Sequence, residues 1–151
     1  MADANQQVLM SMIKVVLTAM SNSNKAFYRK YGKEALPVIA GVMDQTGADW
    51  GKIMQQMSAD RTMQSVAQLW LASGAAMGMG TEIVKVSDHS MHYQQSHCAL
   101  GLEGTSRELC EAMMNIDRRR VSTFLGQEID MNILKTRAAG DDKCEVVFSA
   151  K

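Results

Sequence analysis

The chain carries no surplus charge of either sign, a single proline and few aromatic residues. Its 16 Lys and Arg balance 16 Asp and Glu, with three His beside them. There is then no overall field to draw in nucleic acid or anionic lipid, and a polyanion-binding surface is excluded. No stretch reaches the roughly 18–20 uninterrupted apolar residues of a membrane helix, and the opening Met-Ala-Asp-Ala-Asn-Gln-Gln has neither a basic segment nor a cleavage site. A cytoplasmic location is expected, with neither membrane nor nucleic acid as partner. Three Cys is an odd number without dense spacing, which argues against a disulfide framework and leaves reduced thiols to explain. Phosphate-loop and nucleophile-elbow patterns are missing. Gly78-Met79-Gly80 is not followed by a helix start, so a dinucleotide fingerprint finds no support.

What is abundant is methionine, 14 residues against three Phe, three Tyr and two Trp. Methionine is flexible and polarizable and suits a core or pocket that adapts its shape. The 151 residues fit one domain, 1–151, large enough to bury a core without staples. No internal repeat, linker or low-complexity tract interrupts it.

The first half reads as helices. Val8, Leu9, Met12, Ile13, Val16, Leu17 and Met20 recur at three-to-four spacing until Ser21-Asn22-Ser23-Asn24 breaks the pattern, so residues 1–24 form an N-terminal helix that could dock on a partner. The period resumes at Ala26 and continues past Pro37 to Gly47, where the segment should end; Asp49 could cap a short helix through Met57. Another should start at Ser58 or Asp60, with Met63, Val66, Ala67, Trp70 and Leu71 on one face. The period then changes to two. Thr81–Val86 and Ser90–His97 read as strands joined at Ser87-Asp88-His89, and strands are also expected around Ile129–Ile133 and Cys144–Phe148. Thr105 with Glu108 makes a capping box for one long helix to about Leu125, which Gly126 stops. The expected fold is α+β: N-terminal helices packed with a mainly antiparallel four-stranded sheet, and one long helix between the strand pairs.

That long helix carries the chemistry. At about 100° per residue, Leu109, Cys110, Met113, Met114, Ile116, Val121, Phe124 and Leu125 share a broad arc, with Asp117 in its middle. A carboxylate there is costly unless paired, neutral or bound to something, and Arg120, three residues on, is its nearest partner. The outer face takes Glu111, Asn115, Arg118, Arg119 and Ser122. Cys98, Cys110 and Cys144 come from separate elements and could converge with Asp117 or His97 on one metal, since zinc accepts mixed sulfur, nitrogen and oxygen ligands; they could equally be small buried hydrophobes. His92 and His97 should lie on opposite faces of their strand, Tyr93 sharing the face of His97, and either His could be a general base or an exposed sheet residue. Gly101-Leu102-Glu103-Gly104-Thr105 could offer backbone donors to an anion at the helix start.

Arg107-Glu108-Leu109-Cys110, Asp117, and the run Leu134-Lys135-Thr136-Arg137-Ala138-Ala139-Gly140-Asp141-Asp142-Lys143-Cys144, together with Phe27-Tyr28-Arg29-Lys30-Tyr31-Gly32, resemble the L-2-amino-thiazoline-4-carboxylic acid hydrolase family. That family is related to the 4-vinyl reductase domain, a small-molecule-binding module, and more distantly to TRAPP subunits. The resemblance covers most of residues 25–149 and implies ring opening of a cyclic C=N carboxylate by water. For that chemistry Asp117 or a metal-bound species is expected to activate the water, His97 or Cys110 to donate to the ring nitrogen and Arg120 to anchor the carboxylate, with Met113, Phe124 and Tyr93 as further substrate-binding candidates. In the sensor members of the related family a zinc is held by a cysteine early in the long helix, a Glu-x-x-Cys and a later cysteine. Cys110 and Cys144 match the outer two, but Ile133 and Thr136 replace the inner pair, so zinc here would need Cys98 or Asp117 instead. A non-catalytic binding domain for a small molecule or a metallated cofactor, and a subunit of a homo-oligomer or larger complex, are the alternatives to the hydrolase.

Overall fold

The structure is a computed structural model and describes residues 2–151; Met1, the first residue of the expected 1–24 helix, lies outside the described residues. The order is α1 (Ala2–Tyr31), α2 (Ala35–Met57), α3 (Met63–Met77), β1 (Thr81–Val86), β2 (Ser90–Gln95), α4 (Arg107–Met113), α5 (Asn115–Leu125), β3 (Ile129–Lys135) and β4 (Cys144–Ala150). Tight 3-10 turns at Gly32–Glu34 and Arg137–Ala139 link α1 to α2 and β3 to β4. The strands form one sheet in the order β1-β2-β4-β3, every neighbour antiparallel. This is the α+β architecture that the change of period predicts.

Alternation decides which sheet face is covered. Met91, Tyr93, Ile129, Ile133, Val146 and Phe148 are buried, and the register pairs Met91 with Phe148 and Tyr93 with Val146. Helix α3 packs on β1 and β2, and α5 packs on β3. Trp70 of α3 fixes the first contact: its ring centre lies 5.5 Å from those of both Tyr93 and Phe148, an aromatic cluster worth more than its buried area alone. On the other face His92 Nε2 meets Glu145 Oε1 at 2.7 Å across the β2–β4 pair.

Helix α2 covers α5 from the side away from the sheet, and glycines set how closely. A Cβ at Gly47 would meet the Ile116 carbonyl oxygen and lie 2.9 Å from Arg119 Cβ; one at Gly51 would lie 2.5 Å from Thr123 Cβ. Gly47 therefore does not end a helix, as its sequence context suggests. It lies inside the continuous α2, and Asp49 caps nothing. The tight seam also buries Ser122, expected on the outer face, whose hydroxyl donates to the Gln127 carbonyl at 2.7 Å.

Five other boundaries differ. Helix α1 runs unbroken through Ser21–Asn24, because Ser21 is buried with its hydroxyl donating to the Leu100 carbonyl and Lys25 Nζ donates to Gly101 O at 3.1 Å. Thr62, rather than Ser58 or Asp60, caps α3 by accepting from Ser65 N–H at 3.1 Å. Ser106, rather than Thr105, caps α4 by accepting from Leu109 N–H at 3.1 Å, while the Thr105 hydroxyl turns back to Leu102 O at 2.6 Å. The expected long helix is divided at Met114 into α4 and α5. Strand β2 stops at Gln95, two residues before His97.

Candidate functional site

Asp117 and Arg120 form the centre of the site. The Asp117 carboxylate accepts from Arg120 Nη2 at 2.9 Å, and their side chains are only 16% and 14% exposed. Burial pushes the Asp117 carboxyl above its ordinary value, and the Arg120 charge opposes that. The pair separates two spaces of different character.

On the Asp117 side, between α4–α5 and the sheet, lies a cavity of about 40 Å³ whose wall includes Tyr93, Cys98, Cys110, Met114, Asp117 and Cys144. The sheet supplies Tyr93, Ile133 and Val146 because inward residues alternate along β2, β3 and β4. The turn at Cys98–Leu100 and the segment Thr136–Cys144 close the end. Three thiols thus line one cavity, as their spacing allowed. Cys110 is buried and accepts from Thr136 Oγ1 at 3.2 Å, and burial pushes it up to about 11. Cys98 and Cys144 shift each other in opposite directions, Cys98 upward and Cys144 down to about 7. Tyr93 is raised well above its ordinary value by burial and by the Asp117 charge.

Zinc does not fit this wall. Thr136 and Ile133 do line it, where counting back from Cys144 puts them, but a hydroxyl bonded to Cys110 and an isoleucine stand where two ligands are needed. Among the described residues no group of three or more His, Cys, Asp or Glu is arranged to hold one ion, so the three cysteines do not replace the missing pair.

On the Arg120 side lies a groove of about 470 Å³ between α2 and α3, with Ile13 of α1 at its border. Trp50, Ile53, Met54, Met57, Leu69 and Trp70 make it apolar. Both tryptophans of the chain are in its wall, and the Arg120 guanidinium lies 3.8 Å from the Trp70 ring centre and 5.3 Å from that of Trp50. Among the described residues Arg120 Nε, like Arg119 Nε and Arg137 Nε, has no hydrogen-bond partner.

The structure brings together Asp117, Cys110, Cys98, Cys144 and Tyr93 at the cavity and puts Arg120 at the groove. It does not bring His97 to either. His97 is exposed beyond the end of β2, beside Met79 and Lys14. Met113 and Phe124 are fully buried core residues, the latter under the Arg61 guanidinium at 5.3 Å; the division at Met114 turns that residue to the cavity instead. The anion site expected at residues 101–105 is occupied by the fold itself, since Gly101 N–H donates to Cys98 O, Gly104 N–H to Arg137 O and Thr105 N–H to Leu102 O. Trp50, Ile53 and Met57 escaped sequence reading, although a tryptophan on a helix face without a core partner was a visible signal.

No protein-family profile matches the chain, and no curated protein sequence matches it. Solved structures do. The phenol-responsive sensory domain of the transcription activator PoxR, crystallised with phenol, superposes with a TM-score of 0.68 at 11% identity over 89% of this chain and 74% of that one. Trafficking protein particle complex subunit 3 from Naegleria fowleri, covalently bound to palmitic acid, superposes with a TM-score of 0.58 at 14% identity over 99% of this chain and 96% of that one. At these identities the likeness is one of fold.

Proposed function

We propose that the protein binds a small molecule in the α2–α3 groove, the tryptophans and methionines holding an apolar or aromatic body and Arg120 meeting an oxygen acceptor on it. The observation that carries this is an apolar groove of about 470 Å³ with Arg120 and both tryptophans in its wall, within the usual size range of ligand pockets. The two structural neighbours favour the same ligand class: phenol and palmitic acid each join an apolar body to one oxygen-bearing end. Met54 and Met57 give a wall that can reshape around either. A thermal-shift series with phenols and with fatty acids of increasing length tests the reading. A true ligand at a hundredfold excess over its Kd adds about 2.7 kcal/mol, or about 5–10 °C in Tm for a chain of this size. No shift in either series would count against the groove as a site.

Hydrolysis of a cyclic C=N carboxylate, which the sequence resemblance implies, would draw on Asp117 and Cys110 at the thiol cavity. We favour binding over it because a cavity of about 40 Å³ holds a few waters rather than a thiazoline ring, and because His97 lies outside. Turnover of 2-amino-thiazoline-4-carboxylate that Asp117→Asn abolishes would reverse that preference.

A second copy of the chain is the partner we propose for α1. Val8, Met12 and Val15 are 59%, 62% and 69% exposed, and with Ala19 they follow the four-three spacing of a helix–helix seam. Lys14 is the one charged residue from Ala4 to Asn24, so no charge pattern selects a different partner.

A further inference from the structure

The three thiols of the cavity are not equivalent. Cys110 is buried and bonded to Thr136, whereas Cys98 and Cys144 are half-buried. Cys98 follows β2 in a turn closed by Gly101 N–H on the Cys98 carbonyl at 3.2 Å. Cys144 opens β4 and pairs in register with Gln95, three residues before Cys98. The chain path thus delivers the two half-buried thiols to one cavity wall, where each shifts the other's titration. We propose that Cys98 and Cys144 are a peroxide-oxidisable dithiol, converted to a disulfide within the chain while Cys110 stays a thiol. The proposal concerns the thiols alone and stands or falls independently of ligand binding in the groove.

Cys144 is the attacking sulfur, since it is the half-buried thiol whose titration is lowered, which favours its thiolate. It attacks one peroxide oxygen. The O–O bond breaks, the departing hydroxide takes up a proton and becomes water, and Cys144 becomes a sulfenic acid, its sulfur oxidised by two electrons as the peroxide is reduced. The Cys98 sulfur then attacks the Cys144 sulfur; the S–S bond forms, the S–O bond breaks, and hydroxide leaves with the Cys98 proton as a second water. Two thiols and one peroxide give one disulfide and two waters. The first step also removes the negative charge that held the Cys98 proton in place, so it prepares the second.

The test is intact mass and peptide mapping of the full chain after equimolar hydrogen peroxide and unfolding into iodoacetamide. The expected result is loss of two hydrogen atoms, a linked Cys98–Cys144 peptide and alkylation at Cys110 alone, all reversed by a reductant. Cys110→Ser should form the same link, and Cys98→Ser, which has no second thiol to resolve it, should gain one oxygen at Cys144 from equimolar peroxide and reach sulfinic acid only with a second equivalent; should a variant fail to fold, the wild-type map decides alone. Three alkylated thiols after peroxide, a persistent sulfenic or sulfinic acid on wild-type Cys144, or a link through Cys110 or between chains would overturn the proposal.

Discussion

At the residue scale the Asp117–Arg120 pair governs both spaces. Removing one partner of a buried pair leaves the other charge uncompensated, so Arg120→Met should lower stability by about 3 kcal/mol, and adding Asp117→Asn should recover most of it. Urea unfolding of the two variants checks this. The pH dependence has a definite sign. Because the Asp117 carboxyl is raised in the fold, its contribution is fully present below the ordinary carboxylate value and is lost as pH rises through the raised one. The deficit of Arg120→Met should therefore be largest at neutral pH and shrink as pH falls toward about 4. Cys144 behaves in the opposite sense, lowered from 9.0 to about 7 by its partner. Its alkylation rate should rise with a midpoint about 7, and Cys98→Ala should move that midpoint back up toward 9.0, read by mass spectrometry across a pH series.

At the element scale the α2–α5 seam is the most exacting contact. Gly47→Ala and Gly51→Ala each drive a methyl into α5 and should destabilise by about 2 kcal/mol, overpacking outweighing the gain in helix propensity. Gly41 lies on the exposed side of the same helix with nothing within 4 Å of an added Cβ. Gly41→Ala should therefore stabilise, by up to about 1 kcal/mol. Thermal unfolding of the three variants separates packing from propensity. The same seam shows what a sequence conveys. Strands were legible because Met91, Tyr93, Val146 and Phe148 alternate with polar residues, and helix faces because apolar residues recur every three to four. Gly47 and Ser21 misled because their reasons are tertiary: one admits a neighbouring helix, the other bonds a carbonyl 79 residues away. Asp117 and Cys110 were legible as an unusual pair on one helix arc, with Arg120 as the nearest partner of Asp117, and Cys98 and Cys144 as thiols on separate elements that could converge with them. The groove was not, because it joins Trp50, Trp70 and Arg120 from three helices whose relative placement no local pattern encodes.

At the scale of the whole molecule, exposed large apolar side chains include Val8, Met12 and Val15 on the outward side of α1 and Trp50, Ile53 and Met57 at the α2–α3 groove. No described helix is long and apolar enough to cross a membrane. If α1 meets a second copy, light scattering should give the mass of a dimer, and Met12→Glu with Val15→Glu should reduce it to that of one chain. The groove is tested most directly by tryptophan fluorescence, since both tryptophans of the chain lie in its wall. Titration with phenol and with medium-chain fatty acids should give a saturable change with at least one of them, and Arg120→Ala should weaken it about tenfold, the loss of roughly one charge-assisted hydrogen bond. Fluorescence that stays flat with both ligand classes, or a titration unchanged by Arg120→Ala, would contradict a ligand held at Arg120 in this groove.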